Sequence, residues 1–290
     1  MKLELSGRSF SLDVTRIIGM IPVIENDDRP VEDYIKQARK LTSDGADFLE
    51  IGMRPASETM VSERVELEKL VPVVRAVADE TGALVAICTS YPSVMKAGND
   101  AGACMIVDPN ALRVSGALQM AAKLDIPVIL CDPGNDSEAT DDPVSVLQEF
   151  FYERVDACLN AGISRKRLII DPMMGNPTRV DAALKMLGRI HTFKSFALPL
   201  SVAIPKALPY MQLSSDENDV VSLTLALFVS HSGVRLIRTT DVSRTAMALA
   251  SWQIASQTAR PHQLSKGVVR RLIAIRDRLR IRLSAKRKNQ

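Results

Sequence analysis

Short apolar runs recur along the chain, each closed by a polar residue and followed by a stretch with helical spacing. The clearest is RLIIDPMMGN, residues 167–176. Leu168, Ile169 and Ile170 form a run suited to a strand buried on both faces. Asp171 stands at its end, and Pro172 and Gly175 then turn the chain. A carboxylate at the tip of a buried strand is costly unless something pairs with it. The same reading along the chain predicts core strands at Ile17–Val23, Phe48–Met53, Ala83–Cys88, Met105–Asp108, Pro127–Asp132, Leu168–Asp171, Phe196–Ala203 and Val234–Asp241. Helices are expected between and after them, at Pro30–Asp44, Ser62–Thr81, Pro92–Ala101, Ala111–Leu124, Val144–Asn160, Arg179–Ile190, Asp216–Ser232 and Val242–Thr258. Glycines follow several of these helices and suit left-handed caps. Residues 1–15 read as a short antiparallel entry whose Leu3, Leu5, Phe10 and Leu12 could plug the N-terminal mouth of a barrel.

Strands alternating with helices give a parallel sheet, and eight such units close a barrel. The first strand-to-helix turn, IPVIENDD, has no glycine, whereas an open doubly wound sheet usually carries a glycine-rich one. The expected fold class is therefore α/β, a (β/α)8 TIM barrel forming a single domain over residues 1–258, with a basic amphipathic helical extension over 259–290.

Composition sharpens this picture in two places. At 290 residues and 46% hydrophobic the chain can bury a sizeable core, and with 4% aromatics that core is aliphatic and methionine-filled. Charge is unevenly spread. Residues 265–290 carry ten Lys and Arg against the single acid Asp277, a net +9, so the rest carries −6 against an overall +3. The four cysteines show no CxxC spacing and only three histidines accompany them, so no metal site is expected and the thiols read as reduced, in a cytoplasmic protein. MKLELSGRSF lacks the apolar core of a secretory signal, and no apolar run is long enough to span a membrane.

In a barrel the strand C-termini converge on one mouth. The residues delivered there are Glu25, Arg54, Cys88 with Thr89, Asp108, Cys131 with Asp132, Asp171, Lys206, and Arg238 with Asp241. Some of these carboxylates could instead cap the following helix, and Lys206 or Arg238 could belong to a structural ion-pair network. Glu50 lies within its strand with either face open to it. It and Glu25 read as ordinary polar positions. No histidine lies at a strand end, which argues against a Ser/Cys–His triad and leaves Cys88 as a packed thiol.

The order of these blocks resembles the pterin-binding family of barrels, dihydropteroate synthases in particular, over about residues 17–250. IIGMIPVI stands at the family's first-strand signature, and DGADFLEIGMRPAS at its second-strand block. VSERVELEKLVPVV, ALVAICTSYPSVMKAGNDAGA and AGISRKRLIIDPMMGNP follow in order, then LSVAIPK and GVRLIRTTDV. The resemblance implies a pterin-like ligand at the C-terminal mouth. Asp171 would accept from the ring's amino and N–H edge. Lys206 would hold its carbonyl and ring-nitrogen edge, and Arg238 would stack on the ring or face an anionic leaving group. Arg54 matches the family's loop arginine, and Asp108 and Cys88 would border the ligand. The implied activity is transfer of a pterin from its diphosphate to an arylamine, with Mg²⁺ only if the diphosphate chemistry is retained. Several family positions are substituted: Pro22 and Val107 replace asparagines, Cys88 an aspartate, Asn176 an aromatic, Ile204 and Pro205 a serine and an arginine, and Thr240 a histidine. The expected function is therefore a dihydropteroate-synthase-like protein with altered or lost transferase activity. The alternatives are a methyltetrahydrofolate-type methyltransferase of the same fold and a non-enzymatic paralogue acting through assembly.

Val268, Leu272, Ile275, Leu279 and Leu283 of the tail fall at steps of four, three, four and four, one side of a helix, with arginines over most of the remaining surface. Such a stripe could pack on the barrel or on a second subunit, or lie on an anionic membrane surface; it needs burial, and a homodimer is the expected partner. Aromatics and glycine-rich turns that would read bases are missing, which argues against nucleic acid.

Overall fold

In the computed structural model the chain is described over residues 2–5, 8–26, 28–54, 61–134, 142–172, 180–204 and 214–258. It opens with a hairpin, β1 (Lys2–Leu5) and β2 (Arg8–Ser11), paired antiparallel with Leu3 opposite Phe10. Eight parallel strands follow, alternating with helices: β3 (Arg16–Ile24), β4 (Phe48–Arg54), β5 (Val85–Cys88), β6 (Ala103–Asp108), β7 (Val128–Cys131), β8 (Leu168–Asp171), β9 (Ser201–Ala203) and β10 (Leu236–Thr239). Their order is β8-β7-β6-β5-β4-β3-β10-β9. A bridge between Ile170 and Leu200, with the Ile170 N–H donating to the Pro199 carbonyl at 3.1 Å, joins β8 to the segment leading into β9 and curls the sheet into a barrel.

The helices are α1 (Val31–Asp44), α2 (63–81), α3 (Pro92–Asp100), α4 (Ala117–Leu124), α5 (Pro143–Asn160), α6 (Val180–Arg189), α7 (Ser215–His231) and α8 (Val242–Thr258). Strand residues divide by parity, because successive side chains point to opposite faces. Leu49 and Ile51 of β4 pack outward on the helices, whereas Phe48 packs inward with Ile18, Ala86, Val107, Ile129 and Leu236. The inward cluster also holds Leu3, Leu5 and Leu12, all almost wholly buried. The hairpin therefore plugs the N-terminal end of the lumen, and polar lumen residues are confined to the other end. Gly45 ends α1 at φ 113°, a backbone geometry that needs glycine, and turns the chain into β4.

Two elements start five or more residues later than expected. Residues Ile190–Phe196 form a 3-10 helix, and Ala197 sits in the left-handed region, so β9 starts only at Ser201. Phe193 and Phe196 pack against Phe151 of α5 there, which takes them out of the strand. Helix α4 starts at Ala117 rather than Ala111, because the Asp108 carboxylate captures the N–H groups of Asn110 (2.8 Å) and Leu112 (2.9 Å). Ala111 and Leu112 both lie at positive φ, and Arg154 of α5 donates to both their carbonyls. Helix α2 is continuous but contains one π turn, Glu66–Leu70. The basic tail, residues 259–290, lies outside the described residues.

Leu5 is almost wholly buried in the lumen cluster. Leu5→Ala is therefore expected to lower the unfolding free energy by about 2–5 kcal/mol. Urea melts against wild type check this, and an unchanged midpoint would remove the hairpin from the core.

Candidate functional site at the C-terminal mouth of the barrel

The lumen changes character one layer below the mouth. Arg238 on β10 is wholly buried, and so is Asp171 at the end of β8; Glu50 on β4 is 4% exposed. The guanidinium donates through Nε and Nη2 to both Glu50 oxygens, at 2.6 and 2.7 Å. Its Nη1 donates to Asp171 Oδ2 at 3.0 Å and lies 4.0 Å from Cys131 Sγ. Ser201 Oγ of β9 donates to the same Asp171 oxygen at 2.9 Å. A guanidinium offers five N–H donors in a rigid fork, so most of the fork is committed to protein. Burial alone would push the Arg238 pKa down. The Glu50 carboxylate, through charge and hydrogen bonds, outweighs it with help from Asp171, and the guanidinium stays charged.

Sequence reading singled out Asp171 and Arg238, and the fold brings them together. Glu50, read there as an ordinary polar position, belongs with them. The signal was its parity: Leu49 and Ile51 serve the helix side, so Glu50 must share the lumen side with Phe48. Gly52 continues that side. A Cβ on it would sit 2.7 Å from the Cβ of Cys88, so glycine here lets β5 approach. Arg54 is exposed at the end of β4. Its carbonyl accepts from the Glu25 N–H at 3.1 Å, while the Glu25 carbonyl accepts from Lys69 Nζ at 2.6 Å, fixing the rim above β3 and β4. Lys206, Pro205 and Asn176 lie outside the described residues.

Strands β5 to β7 present a different surface. Cys88 and Cys131 stand there, and burial holds both thiols well above their usual pKa, so they are not thiolates. Asp108, wholly buried at the end of β6, accepts from Ser90 Oγ at 2.5 Å and from the two backbone N–H groups named above. Burial raises its pKa, against the pull of those donors. Its oxygens organise the 108–112 turn. Glu66, on the π turn of α2, was missed from the sequence altogether. It is 8% exposed, and Thr89 Oγ1 donates to its Oε2 at 2.5 Å. Burial pushes its pKa up to about 7, with Asp108 and Glu63 adding to the rise.

Magnesium requires oxygen ligands. The lumen-side residues at the ends of β3 and β4, namely Met20, Pro22 and Gly52, offer no side-chain oxygen. Among the described residues no group of three His, Cys, Asp or Glu could hold a metal ion. The described residues therefore do not fit a Mg²⁺ site. No described helix is long and apolar enough to cross a membrane.

Known proteins with this architecture point the same way. The profile of the family described as pterin binding enzyme matches residues 26–240. The dihydropteroate synthase of Escherichia coli (strain K12) is 30% identical over 268 residues, spanning 86% of this chain and 94% of that protein. The structure of Xanthomonas albilineans dihydropteroate synthase with 4-aminobenzoic acid superposes with a TM-score of 0.81 at 29% identity, covering 88% of this chain and 98% of the other. That of Stenotrophomonas maltophilia dihydropteroate synthase, with imidazole in its active site, gives 0.80 at 30% identity, covering 90% and 99%. A TIM barrel with its polar lumen layer at the C-terminal mouth, matched along most of its length, places this chain in the pterin binding enzyme family, as a divergent dihydropteroate-synthase-like member.

Proposed function

We propose that the chain binds a pterin or a closely related heterocycle at the C-terminal mouth, with the synthase transfer reaction lost or strongly reduced. The observation that carries this reading is the buried Glu50–Arg238–Asp171 network. Arg238 holds Glu50 through two bonds and fixes Asp171 through a third. A carboxylate accepts two N–H donors side by side, so a fixed Asp171 suits a ligand that presents adjacent donors. The amino-pyrimidine edge of a pterin has this pattern. Asp171 then reads the N–H edge, Lys206 the carbonyl edge, and Cys88 borders the ring. Arg54 guards the rim, and Asp108 acts by setting Ser90 and the turn beside it. Arg238 holds Asp171 in place and stands against the ring. With its fork committed to Glu50 and Asp171, it is poorly placed to take a leaving diphosphate. The absence of side-chain oxygens at Met20, Pro22 and Gly52 argues in the same direction, as does Thr240 at the end of the last strand.

Self-association belongs to the same proposal. The middle of helix α7, residues 220–229, is mostly apolar, yet Val220 is 64% and Phe228 43% exposed, and Met247 and Trp252 of the adjoining α8 are also exposed. A helix apolar all round is a buried helix, and contiguous exposed apolar surface marks an interface. The basic tail starts directly after α8 and carries its own apolar stripe, so a second copy of the chain is the partner that both features fit.

Three outcomes follow. Asp171→Asn should abolish the rise in melting temperature given by 6-hydroxymethylpterin while the variant stays folded by circular dichroism; retention of the full rise would remove Asp171 from the ligand. Purified protein given p-aminobenzoate and 6-hydroxymethyl-7,8-dihydropterin diphosphate should turn over slowly or not at all, since one lost electrostatic group costs about 10²–10³ in rate. Robust complementation of a synthase-deficient strain would contradict that. Full-length protein should scatter light as a dimer, and deletion of residues 265–290 should lower its mass or its stability. A full-length monomer, or a truncated form unchanged in both, would count against self-association.

A further inference from the structure

The ion triad accounts for one half of the mouth and leaves the other half without a role. Side chains that fill a barrel come in layers drawn from alternate strands. Glu50 on β4, Asp171 on β8 and Arg238 on β10 bond to one another and make up most of one such layer. The remaining strand of that set is β6, and its last lumen-facing residue is Val107. Cys88 and Cys131, on the strands either side of β6, belong to the same lumen cluster. Cys131 pairs in register with Asp171, and Cys88 with Val107. The three residues form a continuous arc that begins beside Asp171 and ends at β5.

None of the three carries a side-chain oxygen or nitrogen. Cys131 spends its weak donor on the Ile129 carbonyl at 3.8 Å, and its sulfur faces Arg238 Nη1. The polar residues that follow these strands are engaged elsewhere. Thr89 Oγ1 donates to Glu66 of α2. Asp108 shares the helix side of β6 with Ile106. Its Oδ1 accepts from Ser90 Oγ and the Asn110 N–H, and its Oδ2 from the Leu112 N–H. Asp132 Oδ1 accepts from the Gly134 N–H at 2.9 Å.

The reading of the mouth as a pterin site fixes which flank of the ring meets this arc. With the amino and N3–H donors on Asp171, one flank carries the 4-carbonyl and N5, and the other carries N1 and N8. Strand β9 lies on one side of β8 and β7 on the other. The carbonyl flank belongs on the side of β9 and β10, with Arg238 and with Lys206, which follows β9 in the sequence. Against an apolar wall the carbonyl would lose its hydrogen bonds. N1 and N8 therefore face Cys131, Val107 and Cys88. An aromatic pterin has only a lone pair at N8, whereas its 7,8-dihydro form has an N–H there. A buried donor without a partner is rarer in proteins than an under-used acceptor.

We propose that Cys88, Val107 and Cys131 are specificity-determining residues that select an aromatic ring, with no N–H donor on this flank, over the 7,8-dihydro form. The inference rests on the pterin reading and adds the oxidation state of the ring to it. A donor set against the arc gives up its bond to water and gains no oxygen or nitrogen acceptor from these side chains, a loss of about ten- to a hundredfold in affinity.

Calorimetric titration of wild type with three ligands tests this: 6-hydroxymethylpterin, its 7,8-dihydro form, and its 8-deaza analogue, which has C–H in place of N8. The dihydro form should bind about ten- to a hundredfold more weakly than the other two. Cys88→Asn sets an amide oxygen on the arc, and Val107→Thr a hydroxyl on a side chain of nearly the same size. Either should narrow the gap about tenfold, and Val107→Thr carries the comparison should Cys88→Asn fail to fold. Equal affinity for all three ligands in wild type, or tightest binding of the dihydro form, would overturn the inference and leave the pterin reading standing. An 8-deaza analogue as weak as the dihydro form would do the same, since the preference would then lie in the N8 lone pair. A gap that persists in every folded variant would place the selectivity outside the arc. Wild type that binds none of the three would overturn the pterin reading as well.

Discussion

A guanidinium held dry in the lumen of a barrel must be answered on the spot, and much else in this structure follows from how Arg238 is answered. Removing such a cation from water costs several kcal/mol, recovered only with near-ideal geometry and saturated donors. Here Glu50 supplies a bidentate partner and Asp171 a third bond. The three residues come from β10, β4 and β8, strands that are not neighbours in the sheet. The ion triad therefore ties the lumen across its width, and it fixes the Asp171 carboxylate from below. Beneath it the lumen is apolar and closed by the hairpin.

The mouth is lopsided. Polar groups crowd the β4, β8, β9 and β10 side, while Cys88, Val107 and Cys131 make the β5 to β7 side apolar. On that second side the charged groups stand one step further out. Asp108 is spent on a strained turn that Arg154 clasps from α5, with two consecutive non-glycine residues at positive φ. Strain of this kind persists only where surrounding bonds over-determine it, and here it stiffens the rim over β6.

Much of this was legible in the residues, for specific reasons. The eight strands could be read because parallel strands buried on both faces give unbroken apolar runs, and the plug because Leu3, Leu5 and Leu12 needed somewhere to go. Asp171 stood out as a charge at the end of LII. Glu50 was readable only by parity, through Leu49 and Ile51, and was passed over. Glu66 shares a helical face with Leu70, Val73 and Val77, so a charge on the buried face was visible in principle. It was hidden by the other acids around it. The late start of β9 could not be read, because Phe193 and Phe196 look like strand residues until Phe151 is placed beside them. The start of α4 was equally hidden, since it depends on one carboxylate taking the N–H groups that a helix would use.

A crystal structure of the protein soaked with 6-hydroxymethyl-7,8-dihydropterin tests the central claim most directly. The account predicts ring density at the C-terminal mouth, its amino edge on the Asp171 carboxylate, with Arg238 still bidentate to Glu50. Ring density away from Asp171, or a mouth that stays empty at saturating ligand, would contradict it.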